Sequence, residues 1–176
     1  VPPLYERIVA EAQLRGVSIH GTRYGLSGAM PLPAELVQRW EAATGGLLVE
    51  GYGLTETSPV VVGNPMSSAR RPGSIGVPFP DVEVRIADPA DLDRAVPLGE
   101  RGELLVRGPQ VFAGYRGRPQ ESAEAFHDGW FRTGDIVTMD PSGFITIVDR
   151  IKEVIITGGF NVYPSEVEAV LRLHPG

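Results

Sequence analysis

The sequence predicts a mixed α/β fold, in which α/β elements come first and a small antiparallel β-sheet or barrel follows from about residue 60. Two observations carry this prediction. Apolar residues recur at helical spacing early in the chain, whereas later they alternate with polar residues at the period of two typical of strands. The 22 glycines and 16 prolines are spread over all 176 residues, which indicates many short elements joined by tight turns.

The first helix is expected over residues 4–15, because Leu4, Ile8 and Ala12 are spaced by four and a glycine follows the segment. A short strand is expected to start at Val17. These two elements would begin the α/β part of the chain.

A second helix is expected over residues 34–44, where Leu36, Val37 and Trp40 lie on one helical face. A proline precedes this segment and two glycines follow it, as is usual at helix ends. The apolar run at residues 47–49 then predicts a buried strand.

The second half of the chain shows three alternating segments, at residues 82–86, 103–107 and 145–148. Turn sequences rich in proline and glycine separate them, which favours antiparallel strands. A short helix is expected at residues 119–126 and a last helix at residues 164–174.

Composition excludes several classes of function. With 22 acidic and 16 basic side chains the net charge is -6, so a nucleic-acid partner is not expected. The absence of cysteine excludes disulfides, thiol catalysis and cysteine-bound zinc. No apolar run reaches the roughly 18 to 20 residues of a transmembrane helix. Because the chain starts without methionine, we expect it to be part of a longer protein.

Common phosphate-binding and hydrolase motifs are also absent. Gly51 and Gly53 could begin a dinucleotide fingerprint, but Glu56 stands where the third glycine is needed. A Walker loop needs lysine before serine or threonine, whereas the only lysine, Lys152, precedes Glu153. No G-x-S-x-G elbow occurs. These segments therefore need another interpretation.

Four segments in a fixed order are similar to the motifs of the adenylate-forming superfamily of acyl-CoA synthetases, luciferases and peptide-synthetase adenylation domains. They are SGAMPL at 27–32 (the adenine-site turn), GYGLTET at 51–57 (the core motif), GWFRTGD at 129–135 and DRIKE at 149–153. The resemblance covers essentially the whole chain. Segments at 74–78, 108–112 and 159–164 most resemble bacterial medium- and long-chain fatty acyl-CoA ligases.

The resemblance implies a domain organisation. Residues 1–148 are expected to be the C-terminal portion of the large AMP-binding domain, residues 149–153 a hinge, and residues 154–176 the truncated start of a small α+β lid. The family's phosphate loop and catalytic lysine would lie outside the chain. The 176-residue chain alone is therefore expected to be inactive.

The resemblance also implies a reaction in which a carboxylate attacks the α-phosphate of ATP and coenzyme A then displaces AMP. Thr55 and Glu56 would be catalytic, with Glu56 binding Mg²⁺ and Thr55 bonding a phosphate oxygen. The Tyr52 ring would lie against adenine, and Gly53 would line the acyl pocket. The residues implied in nucleotide binding are Gly28, Ala29, Met30, Pro31, Gly51, Tyr52, Gly53, Thr55, Asp135 and Arg150.

In the later motifs, Asp135 would accept both ribose hydroxyls and Arg150 would donate to the ribose or phosphate. The alternative for Arg150 is a surface ion pair with one of its acidic neighbours, Asp149 or Glu153. Lys152 would be the hinge between the domains.

Gly158 and Gly159 would allow close approach of the pantetheine arm of coenzyme A, although a plain β-turn explains the pair as well. The expected function is thus part of an ATP-dependent fatty acyl-CoA ligase with fatty acid, ATP, Mg²⁺ and coenzyme A as its partners. We expect a cytoplasmic protein, and peripheral membrane contact by the complete protein stays open.

Two alternatives remain. One is an enzyme that forms acyl-adenylates for a carrier protein or uses an aromatic acid, such as a fatty acyl-AMP ligase or an aryl-acid adenylating enzyme. The other is a chain that binds nucleotide or a partner without turnover.

Overall fold

The computed structural model describes residues 1–157, 160–171 and 173–174. The chain divides into two compact units. The first contains residues 1–82 with 110–112, and the second contains residues 83–109 with 113–176. This division does not follow the expected hinge, and the domain limits at residues 148 and 153 stay a prediction.

The first unit starts with helix α1 (Pro2–Arg15), strand β1 (Tyr24–Ser27), helix α2 (Ala34–Thr44) and strand β2 (Leu47–Tyr52). Both helices end at a glycine in the left-handed conformation, with φ of 61° and 74°. β1 and β2 are parallel, so α2 is the crossover helix of a β-α-β unit. The predicted second helix and buried strand are confirmed.

The core of this unit lies between the two helices and β2. Trp40 is buried and meets the Tyr5 ring edge-on at 4.7 Å between centroids. From α1, Val9 is buried in this core and Tyr5 and Ile8 pack against it, whereas Leu4 is 55% exposed. The buried core residues are Val9, Leu32, Leu36, Val37, Trp40 and Leu48.

The strand expected at Val17 is absent, because Val17 is part of the end of α1. Its backbone N–H donates to the Ala12 carbonyl at 2.9 Å, closing the helix around the left-handed Gly16. An amide used in this way is not available to a sheet. The strand of this region is β1 instead. Gly25 and Ser27 are its buried residues and Tyr24 and Leu26 are exposed, so apolar alternation does not mark its buried face.

The sheet of the first unit has the order β1-β2-β3-β4, with β3 at Val62–Gly63 and β4 at Val77–Pro78. β3 is antiparallel to both of its neighbours. A short 3₁₀ helix, Thr55–Thr57, follows β2 and carries the end of the core motif. The sheet therefore places the adenine-site turn and the core motif after two neighbouring parallel strands.

The second unit contains an antiparallel sheet of order β10-β9-β7-β5-β6, with β8 also paired to β9. This confirms the predicted antiparallel sheet. Its elements are β5 (Glu83–Asp88), β6 (Asp91–Ala95), β7 (Gly102–Arg107), α3 (Pro119–Glu124), β8 (Phe126–His127), β9 (Trp130–Met139) and β10 (Ile145–Arg150). A 3₁₀ helix (Ile151–Glu153), β11 (Ile155–Thr157), β12 (Phe160–Val162) and α4 (Pro164–Leu171) complete the unit.

Several boundaries differ from the prediction. The short helix ends at Glu124 because Phe126 pairs with β9, and the last helix ends at Leu171. In β7 both faces are buried, since Glu103 and Leu105 are buried on one face and Leu104 and Val106 on the other. In β10 a register shift after Ile147 changes the face to which the next residues point.

In the described part of the chain, no helix is long and apolar enough to cross a membrane.

Candidate functional site

The adenine-site turn lies directly against the core motif. A Cβ atom at Gly28 would be 3.0 Å from the Gly51 carbonyl oxygen, so only a residue without a side chain fits comfortably between the two backbones. Ala29 follows with φ of 67°, a conformation that costs free energy for any residue except glycine. Met30 is exposed. The structure thus brings the first two groups of predicted nucleotide-binding residues together.

The core motif leaves β2 through a crowded turn. Tyr52 is buried, and its carbonyl accepts a hydrogen bond from the Val61 N–H at 3.0 Å. A Cβ atom at Gly53 would lie 1.6 Å from the Pro59 carbonyl oxygen. The turn itself therefore requires glycine at residue 53, independently of any ligand. The acyl-pocket role of Gly53 stays a prediction.

The 3₁₀ helix presents Thr55 as an exposed side chain and Glu56 as a half-buried one. The Glu56 carbonyl accepts a hydrogen bond from the Phe112 N–H at 2.8 Å, which ties the turn to a second segment of the same unit. A carboxylate in this position is the kind of hard oxygen ligand that Mg²⁺ takes. The side chain of Glu56 thus fits the predicted metal role.

Thr57 holds this turn in shape and was missed by the sequence interpretation. Its fully buried hydroxyl accepts from the Leu54 N–H at 2.8 Å and lies 2.9 Å from the Pro59 carbonyl. A buried hydroxyl with both kinds of partner fixes a turn more firmly than an exposed one. A threonine two residues after the predicted catalytic Thr55 was the only sequence signal.

The sequence interpretation also missed Glu50. It is a single polar residue at the end of an apolar run, and no motif marks it as functional. The residue is 8% exposed, and burial raises the pKa of the carboxyl group to about 7. A hydrogen bond with the backbone of Leu32 acts in the opposite direction and lowers the pKa. Glu50 therefore changes its charge close to neutral pH.

We expect the ionisation of Glu50 to lower the stability of the chain as the pH rises from about 4.5 to above 7. The folded state holds the Glu50 proton in that range while the unfolded chain releases it. Glu50→Gln should remove this pH dependence. The difference in unfolding free energy, Glu50→Gln minus the unmodified chain, should therefore be about 2 kcal/mol larger at pH 8 than at pH 5. Urea unfolding of both chains at the two pH values measures this difference. An equal difference at both values would contradict a raised pKa.

In the second unit, the structure brings Asp135 and Arg150 together. They are opposite each other in the register of β9 and β10, and Arg150 Nε lies 3.4 Å from Asp135 Oδ1. Asp135 is buried, whereas the Arg150 side chain is about half exposed. Arg150 therefore forms an ion pair with Asp135, and its role toward the ribose or phosphate stays a prediction.

A β-bulge in strand β9 sets the position of Asp135. Gly134 has φ of 73°, and between the pairs Arg132–Leu105 and Ile136–Glu103 the strand β9 contains three residues where β7 has one. The extra residues interrupt the regular alternation of the strand. Gly134 is thus needed for the backbone of the bulge.

Two other residues of this segment, Arg132 and Thr133, stabilise the bulge. Arg132 forms an ion pair with the fully buried Glu103, at 3.0 Å between Nη2 and Oε2. Thr133 donates from its hydroxyl to the Leu104 carbonyl at 2.8 Å. An unpaired buried carboxylate would cost several kcal/mol, so Glu103 depends on Arg132. Sequence alternation had predicted the opposite, an exposed Glu103.

The predicted hinge begins with Asp149, which is buried and accepts from the Ser165 N–H at 3.0 Å. A carboxylate at the first turn of a helix, here α4, satisfies an amide without an intrahelical partner. Lys152 is an exposed residue of the following 3₁₀ helix. Gly158 and Gly159 lie outside the described residues.

The motifs of the two units agree with a family match over the first part of the chain. The family model described as AMP-binding enzyme matches residues 1–116, and the chain belongs to this family. The resemblance to adenylate-forming enzymes is therefore confirmed.

Particular relatives are similar over almost the whole chain. The long-chain-fatty-acid–CoA ligase of Yersinia pestis is 45% identical over 174 residues, which are 99% of this chain and 31% of that protein. Feruloyl-CoA synthase of Amycolatopsis sp. is 44% identical over 177 residues, covering 100% of this chain and 35% of that protein. The crystal structure of ATP-bound MatB from Rhodopseudomonas palustris matches with a TM-score of 0.85 at 36% identity, over 99% of this chain and 35% of that one. This chain thus spans about a third of the length of the curated relatives it matches.

Proposed function

We propose that the complete protein is an ATP-dependent fatty acyl-CoA ligase. It converts a carboxylate and ATP into an acyl-adenylate and pyrophosphate, and then forms a thioester with coenzyme A. The observation that carries the proposal is the 45% identity to a long-chain-fatty-acid–CoA ligase over 99% of the chain. The proposed substrates are fatty acid, ATP and coenzyme A, and the proposed compartment is the cytoplasm.

The first unit would bind adenine and the phosphates. The close approach of Gly28 to the Gly51 carbonyl supports this role, since it places the adenine-site turn against the start of the core motif with no side chain between the two backbones. Tyr52 would support the adenine ring, and the Thr55 hydroxyl would donate to a phosphate oxygen. Mg²⁺ on Glu56 would supply positive charge to the phosphates when bound.

The second unit would hold the ribose. The Asp135 carboxylate can accept two hydroxyl hydrogen bonds, and the neighbouring Arg150 can donate to a ribose or phosphate oxygen. Because the bulge is fixed by buried contacts of Arg132 and Thr133, the carboxylate is positioned before the ligand binds. Preorganised groups lose little entropy on binding.

Coenzyme A chemistry is assigned to the predicted hinge and to the residues after it. Lys152 is proposed as the pivot, because an exposed, charged residue stays hydrated in either arrangement of a hinge. Gly158 and Gly159 are proposed near the thiol donor only on the family resemblance.

A second candidate is an aromatic-acid CoA ligase. It is favoured by the 44% identity to feruloyl-CoA synthase, which is almost as high as the identity to the fatty-acid enzymes. Both candidates share the adenylation step and differ only in the acid that enters the pocket.

The test is a substrate panel with the complete enzyme. Pyrophosphate release and CoA thioester formation should be measured with acids from octanoate to palmitate and with ferulate, each at several concentrations. The largest kcat/KM is expected with a fatty acid. A preference for ferulate would select the second candidate, and adenylate formation without thioester would indicate transfer to another acceptor.

In the complete enzyme, Asp135→Ala should raise the KM for ATP about tenfold or more and change kcat little. Ribose hydroxyls are held equally before and during the reaction, so their loss removes uniform binding of roughly 1.4 kcal/mol. Steady-state kinetics with varied ATP measure this change. Asp91→Ala, at an exposed aspartate of β6, is the matched control and should leave both constants unchanged. A fall in kcat at constant KM would remove Asp135 from the ribose site.

A further inference from the structure

Glu50 connects the two ends of the candidate nucleotide site in the first unit. It lies on β2 opposite Ser27 of β1 in the parallel register, immediately before the core motif. Its carboxylate accepts a hydrogen bond from the backbone of Leu32, the last residue of the adenine-site turn. Both Glu50 and Leu32 are buried. The bond therefore spans the turn formed by residues 28–31.

This bond fastens the far end of the turn. The near end is held by the β1–β2 register and by the close approach of Gly28 to Gly51. Between the two ends, Ala29 has a left-handed backbone, and Pro31 has no N–H to contribute. A residue in such a conformation persists only where its surroundings hold the chain on both sides. Leu32 offers the first backbone donor after Pro31, and Glu50 accepts from it.

The stability of the core does not explain an acid at this position. Burial raises the pKa of Glu50 to about 7, so the ionised group costs folding free energy at neutral pH. No ion pair of Glu50 occurs within the described ranges 1–157, 160–171 and 173–174. The carboxylate supplies a strong acceptor that, once ionised, has no proton of its own to donate.

We propose that Glu50 is a positioning residue for nucleotide binding, which acts through the Leu32 backbone N–H to hold residues 28–31 in the conformation that receives adenine. The proposal rests on the proposed function, because residues 28–31 contact adenine only if the protein binds ATP. Glu50 itself touches neither the nucleotide nor the reacting atoms in this role. Its effect should therefore appear in the affinity for ATP and not in the rate of the chemical step.

Three variants of the complete enzyme test the proposal. Glu50→Met removes the acceptor at similar volume, and Glu50→Gln keeps an acceptor oxygen without the charge. Val49→Ala, at the neighbouring buried position of β2, weakens the core without removing the acceptor and is the control for a general loss of stability. If Glu50→Met does not fold, Glu50→Asp replaces it, because the shorter side chain withdraws the acceptor by one methylene.

The readouts are the KM for ATP, the Kd for ATP by equilibrium dialysis, and the hydrogen exchange of the Leu32 amide. For Glu50→Met we expect a KM and Kd at least fivefold higher, a kcat within about twofold, and faster exchange at Leu32. Glu50→Gln should restore both constants to within about twofold of the unmodified enzyme. Val49→Ala should lower the melting temperature and leave both constants unchanged.

Two results would overturn the proposal: an unchanged Kd for ATP in Glu50→Met, or an equal loss in Glu50→Met and Val49→Ala. Failure of the proposed function is a separate result, namely that the unmodified enzyme forms no acyl-adenylate with any acid of the panel. In that case dialysis and hydrogen exchange still decide on Glu50, because neither measurement needs turnover.

Discussion

Glu56→Gln in the complete enzyme is expected to slow acyl-adenylate formation by on the order of 10² or more while leaving the fold intact. Glutamine keeps the size of the side chain but loses the charge that a divalent cation requires. If Mg²⁺ organises the charges of the transition state, the loss appears in kcat for adenylation. The backbone of the turn should not change, because it is held by the Thr57 hydroxyl and by the Phe112 N–H.

The measurement is pyrophosphate release in a single turnover, over a range of Mg²⁺ concentrations. Glu35→Gln, at an exposed glutamate in the first turn of α2, removes the same charge elsewhere in the unit and serves as control. Its rate should equal that of the unmodified enzyme. If Glu56→Gln reacts at the normal rate at saturating Mg²⁺, Glu56 is not a metal ligand.

Lys152→Pro is expected to separate the two half-reactions. Lys152 lies in the 3₁₀ helix Ile151–Glu153, where φ is typically −50 to −70° and close to the value that proline imposes. Proline should therefore fit the described conformation and hinder a rotation about this residue. We expect acyl-adenylate formation to be largely preserved and transfer to coenzyme A to slow at least tenfold, roughly 1.4 kcal/mol of barrier.

The two steps can be followed separately, as pyrophosphate release in a single turnover and as thioester formation from preformed acyl-adenylate. Lys152→Ala is the matched control, since it removes the charge and leaves the backbone free, and its effect should be much milder. Normal transfer by the proline variant would show that Lys152 is an ordinary exposed lysine. Equal losses in both variants would assign the effect to the side chain instead of the backbone.

The sequence was sufficient wherever the signal was local and repeated. The second helix was predicted because Leu36, Val37 and Trp40 follow helical spacing, and all three are buried. It was insufficient where one contact redirected the chain. The Val17 amide closes the end of α1, and the pairing of β8 with β9 ends α3 before Phe126.

By itself, the sequence determined the order of the helices, the antiparallel sheet and the family, because periodicity and motif order are carried by neighbouring residues. Only the tertiary structure decided which polar residues are buried and which partners they meet. Glu50 meets Leu32, Glu103 meets Arg132, and Asp135 meets Arg150. The two residues of each pair are at least 15 residues apart along the chain. Strand register and the cost of burying an unpaired charge decide which residues meet. Neither of these can be read from a local pattern.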